Sequence, residues 1–337
     1  MTKKLLYIGN KLSIHGNTAT SIETLGSFLE EEGFTIFYAS SKKNKVLRLL
    51  DMLYTTIKVS SKVDYVLIDT YSTQNFWFAF LVSQLCRVLK LKYISKLHGG
   101  DLPNRLKKSP FLSDLIFNNS YKITAPSLYL MEAFEKKYSK NLCYVPNTID
   151  LRNYDYFLRD FEQPKILWVR SFSKIYNPKM AIHVASELKK SYPDVCLCMV
   201  GPDKENLIVS CKQLAKKLNV DAKFTGKLSK EEWIELSKDY NVFINTTHFD
   251  NTPISVIEAM ALGLPVVSTN VGGIPYLLED KVNAFLVNDN DSKAMVEAIQ
   301  KLFSDKENTQ KLISNSRNLV NEFDWDTVKH LWFEILK

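Results

Sequence analysis

The chain has 337 residues, of which 45% are hydrophobic and 24% charged, the balance of a globular protein with about two domains. Its five cysteines are too few for a disulfide scaffold and odd in number, which favours a reducing, cytoplasmic location. The formal net charge of +7 is uneven: residues 1–160 carry 22 Lys or Arg against 14 Asp or Glu, whereas residues 161–337 carry 22 against 23.

The apolar tracts are too short for a signal peptide or a membrane span. The first, residues 5–8, ends at Gly9, and the longest, residues 76–91, is interrupted by four polar or charged residues. Crossing a bilayer takes about 20 apolar residues. The sequence therefore predicts neither a secreted nor an integral membrane protein.

The first half alternates short apolar strands with helices of amphipathic spacing. Predicted strands cover residues 4–9, 34–39, 63–68, 93–97, 121–125 and 142–145. Predicted helices cover residues 18–32, 44–60, 73–90, 109–119 and 127–138, with a loop before residue 109. Strands separated by single helices pair in parallel, so this half predicts a doubly wound α/β sheet.

The second half repeats the plan. Predicted strands cover residues 165–169, 195–200, 242–245, 266–268 and, weakly, 284–287, with helices between them and three more at the end. The predicted domains are residues 1–150, a linker at 151–164, a second domain at 165–322, and a C-terminal helix at 323–337 that returns to the first domain. Two such sheets leave a ligand-binding cleft between the carboxyl ends of their strands.

The most informative stretch is residues 249–267, FDNTPISVIEAMALGLPVV. Pro253 suits a first helical turn and Gly263 a helix stop, so a short helix is predicted between them. Asp250 then lies in the loop before the helix and Glu258 within it. A carboxylate in an otherwise apolar helix needs a reason, and we expect it to bind a ligand.

A double-glycine turn follows the next strand. Residues 268–275, STNVGGIP, predict a strand end, a turn at Gly272-Gly273 and a new helix. Such a turn lets the backbone approach a phosphate, and a helix N-terminus offers free N–H groups with a positive dipole end.

These stretches together resemble the donor-binding segment of retaining glycosyltransferases of family 4. The family pattern is Glu-x7-Glu, Ala-Met-Ala, Gly-x-Pro-Val-Val and Gly-Gly-x-Pro, and the chain departs from it only at Asp250, where the first Glu is expected. Residues 145–150, VPNTID, resemble the interdomain motif VPNGID. Residues 97–101, LHGGD, resemble the N-domain histidine loop. Residues 167–174, LWVRSFSK, resemble the segment whose strand-end Arg and Lys clamp the diphosphate. In the family Gly often follows that Lys, whereas this chain has Ile175.

The resemblance implies a GT-B fold: two doubly wound Rossmann-like domains facing a central cleft, the first binding the acceptor and the second a nucleotide-sugar. It implies a UDP- or GDP-type sugar as substrate, no cofactor, no metal and no separate general base, since the leaving phosphate takes the acceptor proton.

The residue types suit these roles. Arg170 can grip diphosphate oxygens bidentately with Lys174 as a second charge. Glu258 would accept hydrogen bonds from the ribose hydroxyls, Asp250 would meet sugar hydroxyls, and His98 would contact the donor sugar. The other expected donor-binding residues are Gly16, Asn17, Asn147, Gly201, Pro202, Lys227, Leu228, Asn251, Thr252, Pro253, Ile254, Gly272 and Gly273.

An Asp-x-Asp motif, the form used by metal-dependent glycosyltransferases of another fold, occurs at residues 289–291. It stands just before a predicted helix, where Asp is typical of an N-cap. We therefore expect no catalytic metal.

Other functions stay open at this point, namely a nucleotide-sugar epimerase of the same fold or a non-catalytic basic protein that binds membrane surfaces. A nucleic-acid partner is not expected, because no recognition motif accompanies the basic residues. The basic first half suggests an anionic membrane surface and a glycan or lipid-linked acceptor, hence a cytoplasmic protein peripheral on the inner face of the cell membrane. Two stretches could make this contact: residues 42–62, unless they form a crossover helix with its apolar face on the sheet, and a basic loop at 105–112.

Overall fold

The computed structural model describes residues 3–16 and 19–337 and divides into two compact units. One unit runs to Thr148 and also includes Val328–Lys337, and the other covers Ile149–Thr327. Each unit holds one six-stranded sheet in which every pairing is parallel. The predicted doubly wound α/β class is confirmed.

The first unit has the sheet order β2-β1-β3-β4-β5-β6. Its strands are β1 (Lys4–Ile8), β2 (Thr35–Ala39), β3 (Tyr65–Tyr71), β4 (Tyr93–His98), β5 (Lys122–Ala125) and β6 (Leu142–Tyr144). Its helices are α1 (Ser21–Glu31), α2 (Lys45–Val59), α3 (Phe76–Val88), α4 (Leu102–Lys108), α5 (Pro110–Phe117) and α6 (Leu128–Tyr138). The chain steps from β1 one way to β2 and then back across to β3 and β4, so right-handed crossovers place α1 on one face and α2 and α3 on the other.

The prediction of a basic loop at 105–112 is wrong, because these residues form the end of one helix and the start of the next. α4 and α5 each have a proline in the first turn, where a missing N–H costs nothing, and Ser109 separates them with φ −138° and ψ 58°. Arg105 is also engaged: its Nε donates to the Ser72 carbonyl at 2.8 Å, and its guanidinium lies 5.1 Å from the centre of the Phe76 ring.

The crossover helix α2 forms where it is expected, and the Asn44 side chain caps it by accepting from the amides of Val46 and Leu47 at 2.9 and 3.2 Å. The expectation that such a crossover helix buries its apolar face holds only in part, because Met52 and Val59 join the core of the first unit and Leu53 packs against it. Most of its large apolar side chains face solvent, between 56 and 66% exposed: Val46, Leu47, Leu50, Tyr54 and Ile57.

The second unit has the sheet order β12-β11-β10-β7-β8-β9. Its strands are β7 (Lys165–Val169), β8 (Cys196–Val200), β9 (Asp221–Gly226), β10 (Val242–Asn245), β11 (Val266–Thr269) and β12 (Phe285–Val287). Its helices are α7 (Pro178–Leu188), α8 (Ile208–Lys217), α9 (Lys230–Ser237), α10 (Ile254–Ala261), α11 (Ser292–Ser304) and α12 (Lys306–Val320), and α13 (Trp325–Ile335) closes the chain.

Strand β9 is absent from the sequence prediction. It lies at the sheet edge, no residue in it is fully buried, and Asp221 and Lys223 interrupt its apolar pattern. An edge strand that is half in water carries little of the hydrophobic signal used to find strands.

Residues from Val328 onward pack within the first unit. Lys329 lies 3.2 Å from the Glu32 carboxylate, and the Phe333 ring stacks on Phe34 with centroids 6.0 Å apart. No helix among the described residues is both long and apolar enough to cross a bilayer.

The segment after Ile149 is held in the second unit by a buried arginine. The guanidinium of Arg159 donates to the carbonyls of Ser237, Tyr240 and Leu262 at 2.6, 2.8 and 2.9 Å. Burial lowers the pKa of Arg159 to about 10, which still leaves it charged at neutral pH. This side chain therefore ties the segment to the ends of α9 and α10.

Replacing Arg159 with Leu should lower the free energy of unfolding by at least about 2 kcal/mol, because each buried carbonyl left without a donor costs roughly 1–3 kcal/mol. The measurement is urea unfolding followed by circular dichroism. The control is Arg152→Leu, whose side chain is 69% exposed and should change stability by no more than about 0.5 kcal/mol. Equal effects of the two changes would contradict the assignment.

Candidate functional site

The carboxyl edge of the second sheet collects most of the predicted site residues. From β7 the chain moves to β8 and β9 on one side and then returns to β10 on the other, so a switch point lies between β7 and β10. Ligands of such sheets bind at this point. Arg170 directly follows β7, Asn245 ends β10, and Asp250 lies in the loop after it.

Arg170 and Asp250 are joined by an ion pair at this switch point. Arg170 Nη2 lies 2.5 Å from Asp250 Oδ2, and its Nε donates to Asn245 Oδ1 at 3.3 Å. The guanidinium also packs over the Tyr176 ring, 4.9 Å from its centre. The two side chains are only 12% and 17% exposed, and Nη1 has no hydrogen bond among the described residues. The arginine is thus held in one orientation with donors left for an anion.

Glycines hold the loops that carry this pair. A Cβ on Gly201 would lie 1.8 Å from the Arg170 carbonyl oxygen, and one on Gly272 would lie 2.3 Å from that of Asp250. The Gly273 amide donates to the Asp250 carbonyl at 2.8 Å. Gly272 has φ +56°, where side chains are disfavoured. Residues predicted to touch the ligand therefore also fix the positions of Arg170 and Asp250.

Glu258 lies inside α10, which forms as predicted, and is 5% exposed. Its Oε1 accepts from the Tyr154 hydroxyl at 2.7 Å and lies 2.9 Å from Lys230 Nζ. No hydrogen bond to Oε2 occurs among the described residues. Burial, followed by the neighbouring carboxylate, raises the pKa of Tyr154 well above its usual value, so this hydroxyl keeps its proton.

Lys174 starts a short 3-10 turn, and its backbone amide donates to Glu205 Oε2 at 2.9 Å. Its side chain is exposed and makes neither a hydrogen bond nor an ion pair within the part of the chain that the structure describes. Its ammonium therefore remains accessible to a ligand.

The remaining predicted residues fall in several places. Pro202 follows β8, Lys227 and Leu228 follow β9, and Asn251, Thr252, Pro253 and Ile254 lead into α10. In the first unit, Gly16 ends a 3-10 turn and Asn147 lies in the irregular segment after β6. Asn17 lies outside the described residues.

The Asp-x-Asp motif is occupied by local contacts. Asp291 caps α11 by accepting from the Ala294 amide at 2.8 Å, as predicted, and Asp289 lies 2.8 Å from His248 Nδ1. The described residues contain no group of three or more His, Cys, Asp or Glu side chains placed to hold a metal ion.

His98 ends β4 in the first unit and contacts a buried carboxylate. Its Nε2 lies 2.7 Å from Asp69 Oδ1, which also accepts from the Tyr7 hydroxyl at 3.1 Å. The Tyr71 ring stacks on the imidazole with centroids 4.8 Å apart. Nε2 also lies 3.4 Å from Lys96 Nζ, but its contact with Asp69 is much shorter. Because an ionised carboxylate can only accept, we assign the proton to Nε2, which leaves Nδ1 as an acceptor.

Lys96 completes this cluster. Asp69 pairs with Lys96 and Tyr71 with His98 in the β3–β4 register, so all four side chains share one face of the sheet. Burial lowers the pKa of Lys96 to about 8 and, with help from the Lys96 charge, lowers that of His98, whereas Asp69 opposes both shifts. The imidazole is therefore neutral at pH 7.

The residues that contact Glu258 and His98 were not identified by the sequence analysis. Tyr154 lies in a segment with no clear period, and Lys230 stands at a surface helix start. Asp69 and Lys96 did leave a signal, since each is a charge inside an otherwise apolar strand, and a buried charge needs a partner.

The charges around His98 should shift its titration in opposite directions. Lys96→Met removes a positive charge and should raise the pKa of His98, whereas Asp69→Asn removes a negative one and should lower it. Ring resonances followed by NMR against pH give both values, with the signal identified by its loss in His98→Gln. Lys140→Met, at an exposed site, should change nothing, and shifts of the same sign in the two test variants would refute the cluster.

Part of the second unit is similar to a known protein family. Residues 157–319 match the model of glycosyl transferases group 1. The chain is 28% identical over 194 residues to an uncharacterized glycosyltransferase of Haemophilus influenzae, a match covering 57% of this chain and 53% of that protein. It is 26% identical over 262 residues to N-acetyl-alpha-D-glucosaminyl L-malate synthase of Bacillus anthracis, covering 72% and 66%. The chain thus spans about half to two thirds of these relatives' lengths.

The fold of the whole chain also has solved counterparts. HepE of Anabaena, in complex with UDP-glucose, matches with a TM-score of 0.77 at 16% identity over 99% of both chains. At this identity the likeness concerns the fold, and it confirms the predicted GT-B class. The chain therefore has a GT-B fold, and its residues 157–319 are similar to the glycosyl transferases group 1 family.

Proposed function

We propose that this protein is a metal-independent, retaining glycosyltransferase of family 4, which moves a sugar from a UDP- or GDP-type donor to a hydroxyl acceptor. The observation that carries the proposal is the Arg170–Asp250 pair at the switch point, on the same sheet edge as the exposed Lys174. The group 1 family match over this unit supports it.

In this proposal the bond between the anomeric carbon and the leaving phosphate breaks while the acceptor oxygen bonds to that carbon on the same face. The acceptor proton passes to the leaving phosphate oxygen, so no side-chain base is consumed. Negative charge grows on the terminal phosphate, where Arg170 and Lys174 supply fixed positive charge.

Glu258 recognises the ribose of the donor. Two neighbouring hydroxyls suit one carboxylate, and Tyr154 and Lys230 hold Oε1 while Oε2 faces the diol. Asp250 contacts sugar hydroxyls and releases part of its hold on Arg170 when the diphosphate binds. His98 uses its free Nδ1 to accept from a sugar hydroxyl.

The second unit is the nucleotide-sugar domain and the first is the acceptor domain, with the boundaries that the sequence predicts. The UDP-glucose bound by HepE favours a nucleotide-diphosphate sugar as donor here. The acceptor is a lipid-linked or polysaccharide-precursor glycan, and the enzyme acts in the cytoplasm, peripheral to the inner face of the cell membrane, as the basic first unit suggests.

Glu258→Gln and Arg170→Met should each lower kcat/KM for sugar transfer at least tenfold, because a charge-assisted hydrogen bond contributes about 1.5–3 kcal/mol. The measurement is release of nucleoside diphosphate from UDP- and GDP-sugars with acceptor present. Arg152→Met is the matched control and should keep full activity. Folded variants with wild-type turnover would refute the site, and donor turnover without any acceptor would favour an epimerase.

Nucleoside diphosphates should raise the melting temperature, since a ligand at 100 times its dissociation constant adds about 2.7 kcal/mol of stability. Comparing UDP, GDP and ADP by thermal shift identifies the base, and Lys174→Met should weaken the shift produced by the preferred one. Transfer should persist in EDTA. Strict dependence on Mn²⁺ or Mg²⁺ would contradict the metal-independent mechanism.

A further inference from the structure

Helix α2 is apolar on two sides, since Met52, Val59 and Leu53 pack into the core of the first unit while a second set of apolar side chains faces solvent. Its buried side consists of Arg48, Met52, Thr56 and Val59. The Arg48 guanidinium is held there by the Lys42 and Lys43 carbonyls and the Asn10 side chain, at 2.7 to 2.9 Å. A helix at a water-facing surface normally presents its polar residues outward.

The solvent-facing apolar stripe of α2 points away from the sheet. Residues 46, 47, 50, 54 and 57 recur at helical spacing, so they form one continuous face opposite Arg48. An exposed apolar patch of this kind marks an interaction surface.

Helix α3 extends the patch. Its exposed apolar residues Trp77, Leu81 and Val88 lie four and seven positions apart, on one side of the helix. α2 and α3 pack side by side on the same face of the sheet, and Lys45 Nζ donates to the Gln74 side chain at 2.6 Å near the start of both helices. Their solvent sides therefore point the same way and form what we call the α2–α3 surface.

The segments that form this surface are basic. Residues 42–62 and 73–92 contain a single acidic residue, Asp51. Against it stand Arg48, which is buried, and exposed basic residues at the two ends of α2 and after or within the last turn of α3: Lys42, Lys43, Lys45, Lys58, Lys62, Arg87, Lys90 and Lys92. Lys58 is exposed, with its ammonium 5.8 Å from the centre of the Tyr54 ring, a position from which a lysine can reach beyond an apolar face.

We propose that the α2–α3 surface docks on a bilayer containing anionic lipids, with the apolar stripe at the acyl boundary and the lysines among the headgroups. An apolar face bordered by Lys and Arg is the pattern of helices that lie in a membrane interface. Protein interfaces are instead depleted in lysine, which argues against a protein partner. The inference rests on the peripheral location proposed above but not on the transfer reaction.

The test is co-flotation of the full chain with vesicles of phosphatidylcholine, with or without 30% phosphatidylglycerol. The wild type should bind the anionic vesicles, and binding should fall with salt. The double change Leu47→Ser/Leu50→Ser should lower the partition coefficient at least tenfold. Lys43→Gln/Lys58→Gln should lower it about fivefold per lysine on anionic vesicles alone.

The matched control is Leu158→Ser/Val209→Ser in the second unit, at positions 77% and 65% exposed, and it should bind like the wild type. Circular dichroism checks that all variants fold. Transfer to a soluble acceptor should be unchanged by Leu47→Ser/Leu50→Ser, which separates failure of docking from failure of the proposed catalysis.

Absence of vesicle binding at low salt would overturn the proposal, as would an equal loss in the control variant. Light scattering measures the oligomeric state and so tests whether a second copy of the chain covers the α2–α3 surface. A wild-type dimer that Leu47→Ser/Leu50→Ser makes monomeric, without any vesicle binding, would assign the surface to self-association instead.

Discussion

Parallel strand pairing is the constraint on which the rest of this structure depends. In each six-stranded sheet every strand ends at the same edge, so side chains far apart in sequence meet there. Arg170 and Asp250 are 80 positions apart and touch because β7 and β10 are neighbours at the switch point. Asp69 and His98 touch because β3 and β4 are paired in register.

Both units also bury charged side chains, and each of these charges must find partners. Glu258, Arg159 and Asp69 are each nearly inaccessible, and each is satisfied in a different way. Glu258 uses a tyrosine and a lysine, Arg159 uses backbone carbonyls at two helix ends, and Asp69 uses a tyrosine and an imidazole. Asp69 Oδ2 is buried without a hydrogen bond among the described residues, so the contacts of this carboxylate are concentrated on Oδ1.

Sequence patterns were sufficient to predict an element where its burial and its periodicity agree. The parallel sheets, the short helix carrying Glu258 and the N-cap at Asp291 all follow from apolar runs and turn residues. Where a segment is half in water the pattern weakens, which explains the missing β9. Partner residues such as Tyr154 and Lys230 depend on tertiary proximity that no local spacing encodes.

The orientation of helix α2 was predicted less well than its position in the chain. Its amphipathic pattern correctly predicts a helix but says nothing about which face meets the sheet. Arg48 lies on the inner side of the helix, where three hydrogen-bond acceptors hold its guanidinium. A periodic pattern therefore predicts an element more securely than it predicts the direction in which that element faces.

In the donor site proposed above, the ion pairs at the second sheet edge would also limit which ligands can bind. Arg170 already has Asp250 as a counter-ion, and Glu258 already has Lys230. A simple anion such as phosphate or sulfate can reach Arg170 Nη1 but must compete with Asp250 for Nη2, and that exchange brings little net gain. A ligand with both hydroxyl groups and an anionic group avoids this cost. Its hydroxyls donate hydrogen bonds to the displaced carboxylate, and its negative charge replaces that carboxylate beside the arginine. Selectivity in the proposed site would thus arise from competition within the protein itself, which disfavours ligands that offer charge alone.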